Sequence, residues 1–528
     1  MRDGAEQARR ARRTPASSRS QLAAVAASAV PGMVALALCC YQLTLPLAFR
    51  GVLAYDDGVY FGSALYLVHG VLPYRDYVFV APPGITVLMA PIALLSHLVG
   101  TANALGLARV ATGLVAGANA TLAALVVRHH GAPASLAAGL VVAAMPGAYY
   151  ADSSVLLEPY LVLFVLIGAV LLFRRGEIAS PTRVLAAGVS FGFAGAVKPW
   201  AILPFAVAVL CCLPAIRRAL VPLVVGAVLG FGVPTLPFAL LAPGAFFKDA
   251  ISAQLARSGG GRSPGVASRL RELTGLGPAT GLGRFGHLAE PLVIGALALG
   301  AAIVAVAALR GRSDRLDAFA LGAAVSATAA VLAPAEYYAH YAYFVTPMFA
   351  LLVGVSVGRV GAALPGQKAL RPLAGAAACA ALLLGGLALV GREVAPDRQW
   401  YRAVAKDPGL LIARAVPAGA CVVSDFSSYL IAANRLSEAQ GGCPAVLDSY
   451  GTWLATDPSS PPHSKGAPDP ALVARWKATF AAAKYVVLGS PNTFRIPWTP
   501  ELLAYFNGRF VRLPVVGAAI YGLRPGAH

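Results

Sequence analysis

Tyr55-Asp56-Asp57-Gly58 sets two adjacent carboxylates directly after the first membrane-length apolar segment of the chain. A positioned carboxylate can take the proton of a hydroxyl while that hydroxyl attacks a carbon centre. Arg75 and Asp76 follow in the same stretch. Three further polar groups stand at the ends of later apolar runs. They are Asp152 with Glu158, Lys198 before Pro199 and Trp200, and Glu336-Tyr337-Tyr338-Ala339-His340-Tyr341. The segment 244–287 adds Lys248, Gln254, Arg257, Arg262, Arg269 and Arg271. Carboxylates and cations converging on one face suit general-base work beside an anionic leaving group. Each group also has a plain structural reading. Glu158 fits a charge at a helix N-terminus, Lys198 a snorkelling side chain, and His340 an interfacial histidine. Arg109 fits a simple helix-capping role, and the Tyr and Trp content fits an interfacial aromatic belt.

The elements that must position these residues are membrane spans. The first apolar segment, 21–49, exceeds the roughly 20 residues that cross a bilayer. Its flank carries Arg2, Arg9, Arg10, Arg12, Arg13 and Arg19, which hold the N-terminus in the cytoplasm and mark a retained anchor, not a cleaved signal. Apolar runs follow at 84–99, 103–127, 133–150, 157–173, 184–198, 199–214, 219–243, 288–309, 316–335, 341–358 and 370–391. If 84–99 spanned, then Arg128, Arg174-Arg175, Arg217-Arg218 and Arg310/Arg312/Arg315 would all fall outside. If it only dips into the interface, all fall inside, as the positive-inside rule requires. The dip is therefore expected, with eleven spanning helices and the C-terminus outside. The outer face then collects 51–83, read as a loop along the membrane, together with 149–157, Lys198, 244–287 and 336–340.

Composition agrees. Of 528 residues, 58% are hydrophobic and 12% charged, about half the charge of a soluble domain, and mean hydropathy is +0.69. The net charge of +19 lies mostly at segment ends, with no basic patch interleaved with aromatics, so nucleic-acid binding is excluded. Cys39, Cys40, Cys211, Cys212 and Cys379 lie in apolar runs as small core residues. Cys421 and Cys443 fall in the polar C-terminal region and are expected to pair if it is extracytoplasmic.

Residues 393–528 change character. Strands are expected at 420–425, 445–448, 485–489 and 510–523, and helices at 426–436, 471–484 and 500–506. That alternation predicts a small α/β domain. The expected organisation is a cytoplasmic tail at 1–20, a transmembrane domain at 21–392 with its first external loop at 50–83, and an extracytoplasmic domain at 393–528.

The order Asp56-Asp57-Gly58-Val59-Tyr60, then Gly70-Val71-Leu72-Pro73-Tyr74-Arg75-Asp76, then Pro82-Pro83-Gly84 resembles the first external loop of GT-C glycosyltransferases. Within them it is similar to the protein O-mannosyltransferase and aminoarabinose-transferase branch. Leu157-Glu158-Pro159 resembles that branch's second acidic motif; Val197-Lys198-Pro199 and His340-Tyr341 with Pro347 resemble its later helix-end signatures. The resemblance covers 20–391 and implies a mainly α polytopic fold with a juxtamembrane helix after the Pro-Pro pair. It also implies a multi-pass enzyme of the plasma membrane that moves a hexosyl or pentosyl group from a polyprenyl-phosphate donor to a hydroxyl acceptor of the cell envelope, with inversion. In this reading Lys198, Arg257, Arg269 and His340 receive the phosphate charge. Asp57, favoured over Asp56, takes the acceptor proton, and Glu158 orients the acceptor or shares the base role. Asp152, Tyr60, Tyr337 and Tyr338 would contact acceptor or sugar. No cofactor is implied and no metal cage is evident, although a divalent ion stays open. Two other classes compete: a transporter or flippase for a lipid-linked saccharide, and a scaffold that binds a wall polymer. Transporters place ionisable groups near the midplane and show repeats; these segments are nearly free of mid-helix charge and show no repeat.

Overall fold

The computed structural model describes residues 18–145, 147, 151–255, 264–277, 281–334, 336–363, 375, 379–392, 407–436, 442–458 and 467–526. A helix occupies each of the eleven segments expected to span: α1 (Ser18–Leu43), α4 (Thr101–Val126), α5 (Ala132–Ala144), α6 (Leu157–Leu172), α7 (Pro181–Val197), α8 (Ile202–Cys212), α9 (Val221–Leu241), α11 (Ala289–Leu309), α12 (Arg315–Leu332), α13 (Ala342–Ala363) and α14 (Cys379–Arg392). Large apolar side chains such as Leu229, Val233, Leu236 and Leu240 on α9, and Leu292 and Leu299 on α11, are exposed, as lipid-facing positions require. The protein is a multi-pass membrane protein.

Residues 51–83 are not a loop throughout, which corrects the sequence expectation. Tyr55–Val68 forms helix α2, whose first turn holds Asp56 and Asp57. Helix α3 (Gly84–Leu94) follows the Pro-Pro pair. A Cβ on Gly84 would lie 2.5 Å from the Ala196 carbonyl, beside Lys198, so α3 begins against the end of α7. The following Gly100, at φ +80°, abuts Asn434 of the C-terminal domain, whose side chain accepts from Ala102 N at 3.0 Å. Both ends of 84–99 therefore lie at one end of the bundle, and the segment does not cross it.

Helices α7 and α9 meet backbone to backbone. A Cβ on Gly188, Gly192, Gly226 or Gly230 would sit 2.0–2.1 Å from a carbonyl of the facing helix. This small-xxx-small contact needs the missing side chains, because dispersion between close backbones replaces the hydrophobic drive that lipid cannot supply.

The C-terminal domain carries a four-stranded mixed sheet. Numbering after the β1 (Phe173–Arg174) and β2 (Glu177–Ile178) hairpin gives β3 (Val422–Ser424), β4 (Tyr485–Leu488), β5 (Phe510–Arg512) and β6 (Ala519–Leu523), in spatial order β3-β4-β6-β5. β3 and β4 are parallel and the other pairings antiparallel. The stretch 445–448 is not a strand, and 510–523 is a hairpin of two strands, not one. Residues 408–415 and 449–456 form helices that the sequence pattern did not bring out. Cys421 and Cys443 form the expected disulfide. Ile431 and Leu447 join the main helical core, so the domain is packed onto the bundle and not tethered beside it.

Candidate active site

The first turn of α2 separates the two aspartates by about 100° of helix rotation. Asp57 turns inward and has no solvent exposure. Its Oδ1 accepts from Val155 N at 2.9 Å, and its Oδ2 accepts from Arg109 Nε at 3.0 Å and from Arg109 Nη2. Arg109 spends its remaining donors on the Ala48, Phe49 and Gly51 carbonyls at 2.8–3.1 Å. The pair thus ties α2 and the α1–α2 connection to α4.

Asp56 turns the other way, with about a third of its side chain exposed. His340 Nε2 lies 4.0 Å from Asp56 Oδ2 and 3.8 Å from Glu158 Oε1. Glu158, in the first turn of α6, accepts from Lys198 Nζ. Lys198 is the residue at which α7 ends, and its ammonium lies 4.1 Å from the Trp200 ring and 4.2 Å from the Tyr341 ring. Four sequence-distant elements thus deliver one chain of polar groups: Asp56, His340, Glu158, Lys198. Tyr60, one turn on from Asp56, borders it. Desolvation, and after it the charges of Asp56 and Glu158, hold the Tyr60 hydroxyl well above the usual phenol range.

Other expected residues fall elsewhere. Tyr338 stacks on His340 at 5.7 Å and is exposed, at the rim of the cluster. Tyr337 is buried against Tyr341 and lies under Arg269, whose guanidinium is 5.6 Å from its ring. Arg269 Nε and Nη1 donate to the Pro264, Val331 and Leu332 carbonyls at 2.9–3.1 Å, which fixes α10 (Val266–Thr274) to the end of α12. Asp152 is buried beside Tyr343, which also takes a 2.9 Å hydrogen bond from Asn119. Arg257 lies outside the described residues.

Two contributors were not expected. A capping role does not account for Arg109, because an arginine in an apolar helix asks for a partner. The second is the C-terminal domain. Tyr55 Oη donates to Asp448 at 2.8 Å and accepts from Tyr450 N at 3.0 Å, and Tyr450 Oη donates to Glu336 at 2.6 Å. Ser428 Oγ donates to the Ala54 carbonyl at 2.7 Å, and a Cβ on Gly58 would collide with Ser428 N at 2.3 Å. Gly58 is thus required for close docking of this domain beside Asp56. Asp249 accepts from Phe79 N at 3.4 Å, and burial pushes its carboxyl up to about 6.

The helical bundle with a docked α/β domain and an acidic cluster at their junction has the GT-C fold. It is similar over almost its whole length to ArnT from Cupriavidus metallidurans. The undecaprenyl phosphate-bound ArnT structure aligns with 94% of this chain and 98% of that one, at TM-score 0.57 and 17% identity. The apo structure aligns with 93% and 97%, at TM-score 0.56 and 16% identity. No protein-family model and no curated protein matches the chain.

Proposed function

We propose that this protein transfers a sugar from a polyprenyl-phosphate donor to a hydroxyl acceptor at the extracytoplasmic membrane face, by single displacement with inversion. The carrying observation is the Asp56–His340–Glu158–Lys198 chain at the junction of bundle and C-terminal domain. The ArnT structure with undecaprenyl phosphate supports the donor class. The arginine-bearing corners at 128, 217–218 and 310–312 support a cytoplasmic position for the opposite end of the bundle.

In this mechanism the acceptor oxygen attacks the anomeric carbon as the carbon–oxygen bond to phosphate breaks. Asp56 takes the acceptor proton. Asp57 is committed to Arg109 and Val155, so the base role moves to its neighbour. Lys198 and His340 receive the charge that develops on the departing polyprenyl phosphate. Glu158 holds Lys198 and His340 in place and balances their charge before the donor binds. Arg269 acts through position, keeping Tyr337 and the His340 segment against α12.

Membranes containing the wild type should move label from a radiolabelled polyprenyl-phosphate sugar to an acceptor, and Asp56→Asn membranes with equal protein should not. Equal transfer by both removes Asp56 from the base role. Absence of transfer by the wild type across hexosyl and pentosyl donors removes the reading itself.

A further inference from the structure

At the end of the bundle opposite Asp56, a second polar cluster joins residues almost two hundred positions apart. His129 and His130 form the turn after α4, and Asp314 caps α12 in a capping box with Asp317. The two imidazoles face each other with centroids 3.9 Å apart. His129 Nε2 lies 3.0 Å from Asp314 Oδ2, and His130 Nε2 lies 3.6 Å from Asp317 Oδ1. The His130 side chain is more than nine-tenths buried, and its Nε2 has no hydrogen-bond partner among the described residues.

Ion pairing does not explain the histidines. Arg359 of α13 already serves both carboxylates, reaching Asp314 Oδ2 at 2.8 Å and Asp317 at 2.5 and 3.2 Å. That network leaves the buried His130 Nε2 with no hydrogen-bond partner among the described residues, a nitrogen donor beside His129 and Asp314. The ligand atoms of His129, His130 and Asp314 all lie within 4.8 Å of one another, a separation that small side-chain shifts bring to one ion. Mixed imidazole and carboxylate donors suit zinc and its neighbours, whereas calcium and magnesium favour oxygen alone. The β1–β2 hairpin covers the cluster: its Gly176 sits so close that a Cβ would lie 2.3 Å from Asp314 Oδ2. Gly176 O also accepts from Leu316 N at 3.1 Å.

We propose that His129, His130 and Asp314 bind one divalent transition-metal ion of the zinc class, which staples the α4–α5 corner to the α11–α12 corner. The site is independent of the sugar-transfer reading.

The test uses the full chain in detergent, stripped by chelator, reloaded with Zn²⁺ and desalted. Wild type should retain one more zinc per chain than His129→Ala/His130→Ala, and zinc should raise the melting temperature of wild type alone. His340→Ala, at the other end, should retain the same zinc as wild type. Equal zinc in wild type and double variant overturns the proposal, as does loss of the ion in His340→Ala. Cobalt loading of wild type and His340→Ala needs no change in the cluster itself. Both should show the visible bands of imidazole-bound Co²⁺, and the spectrum of the aqueous ion in either overturns the site even if the double variant does not fold.

Discussion

Asp57 and Arg109 form an ion pair with no solvent exposure on either side chain, and every donor of the guanidinium reaches Asp57 or a backbone carbonyl. Two neighbouring carboxylates in one helical turn thus have opposite surroundings. One is locked in the protein, and the other faces His340, which lies beside Glu158.

Removal of one partner from a buried ion pair leaves an uncompensated charge and costs about 3–5 kcal/mol. Asp57→Ala should therefore lower the melting temperature and the yield of folded protein in detergent. Asp56→Asn should melt like wild type while turnover falls about 10²–10⁴-fold, the usual weight of a general base. A stable, inactive Asp57→Asn with an active Asp56→Asn would reverse the assignment.

Lys198 is held by Glu158, and in the proposed reaction it also meets the donor phosphate. Lys198→Ala should weaken donor binding about 10- to 100-fold, the weight of one charge-assisted hydrogen bond, and should also destabilise the fold by stranding Glu158. Adding Glu158→Gln should recover the stability and leave the binding defect. Donor titration and thermal unfolding of the single and double variants read the two effects separately.

The raised carboxyl of Asp249 sets a pH dependence for stability. Its folded value of about 6 exceeds the ordinary 3.8, so the folded state binds the proton more tightly. The stabilisation is complete below about pH 4 and is lost as pH rises through about 6. Melting curves of wild type and Asp249→Asn should diverge across that window, with wild type losing stability relative to the variant, and should run parallel above pH 7.

Cys421 and Cys443 close a loop with a sequence separation of 22. The chain-entropy account gives such a crosslink about 3 kcal/mol. Cys421→Ser/Cys443→Ser should lower the stability of the C-terminal domain by that order, and unreduced denatured wild type should show no free thiol at either position by mass spectrometry.

Topology completes the set. Alkaline phosphatase fused after Arg392 should be active, and a reporter that works only in the cytoplasm should be active after Arg310. An inactive first fusion would place the Asp56 cluster on the cytoplasmic face.

Much of this architecture was legible in the chain. Arginines at segment ends located the helices, and their alternation kept 84–99 from being read as a span. Glu158, Lys198 and His340 were visible as polar residues beside Pro or aromatics at helix ends, and they converge. The division of labour between Asp56 and Asp57 was not legible, because a stretch read as loop has no inward and outward side. Reading 55–68 as a helix, from its apolar content and from Gly58 and Gly62 one turn apart, would have separated them. Arg109 carried a signal that was discounted. Arg269 misled for the opposite reason: a cation in an external segment looks available, and only coordinates reveal the three carbonyls that occupy it. Tyr450 is the kind of contributor that sequence hides, since its role depends on how the C-terminal domain sits against Glu336.

The glycine contact between α7 and α9 bears on how the molecule can move. Side-chain packing yields a little through rotamer changes, but facing backbones with no Cβ between them have nothing to rotate. Lys198 stands at the tip of α7, so its position is set by α9 as much as by its own helix. Any rearrangement at this end of the bundle must carry this helix pair as one strut, or bend around it. Even the smallest substitution there, Gly192→Ala or Gly226→Ala, would act at a distance, shifting the ammonium without touching the site.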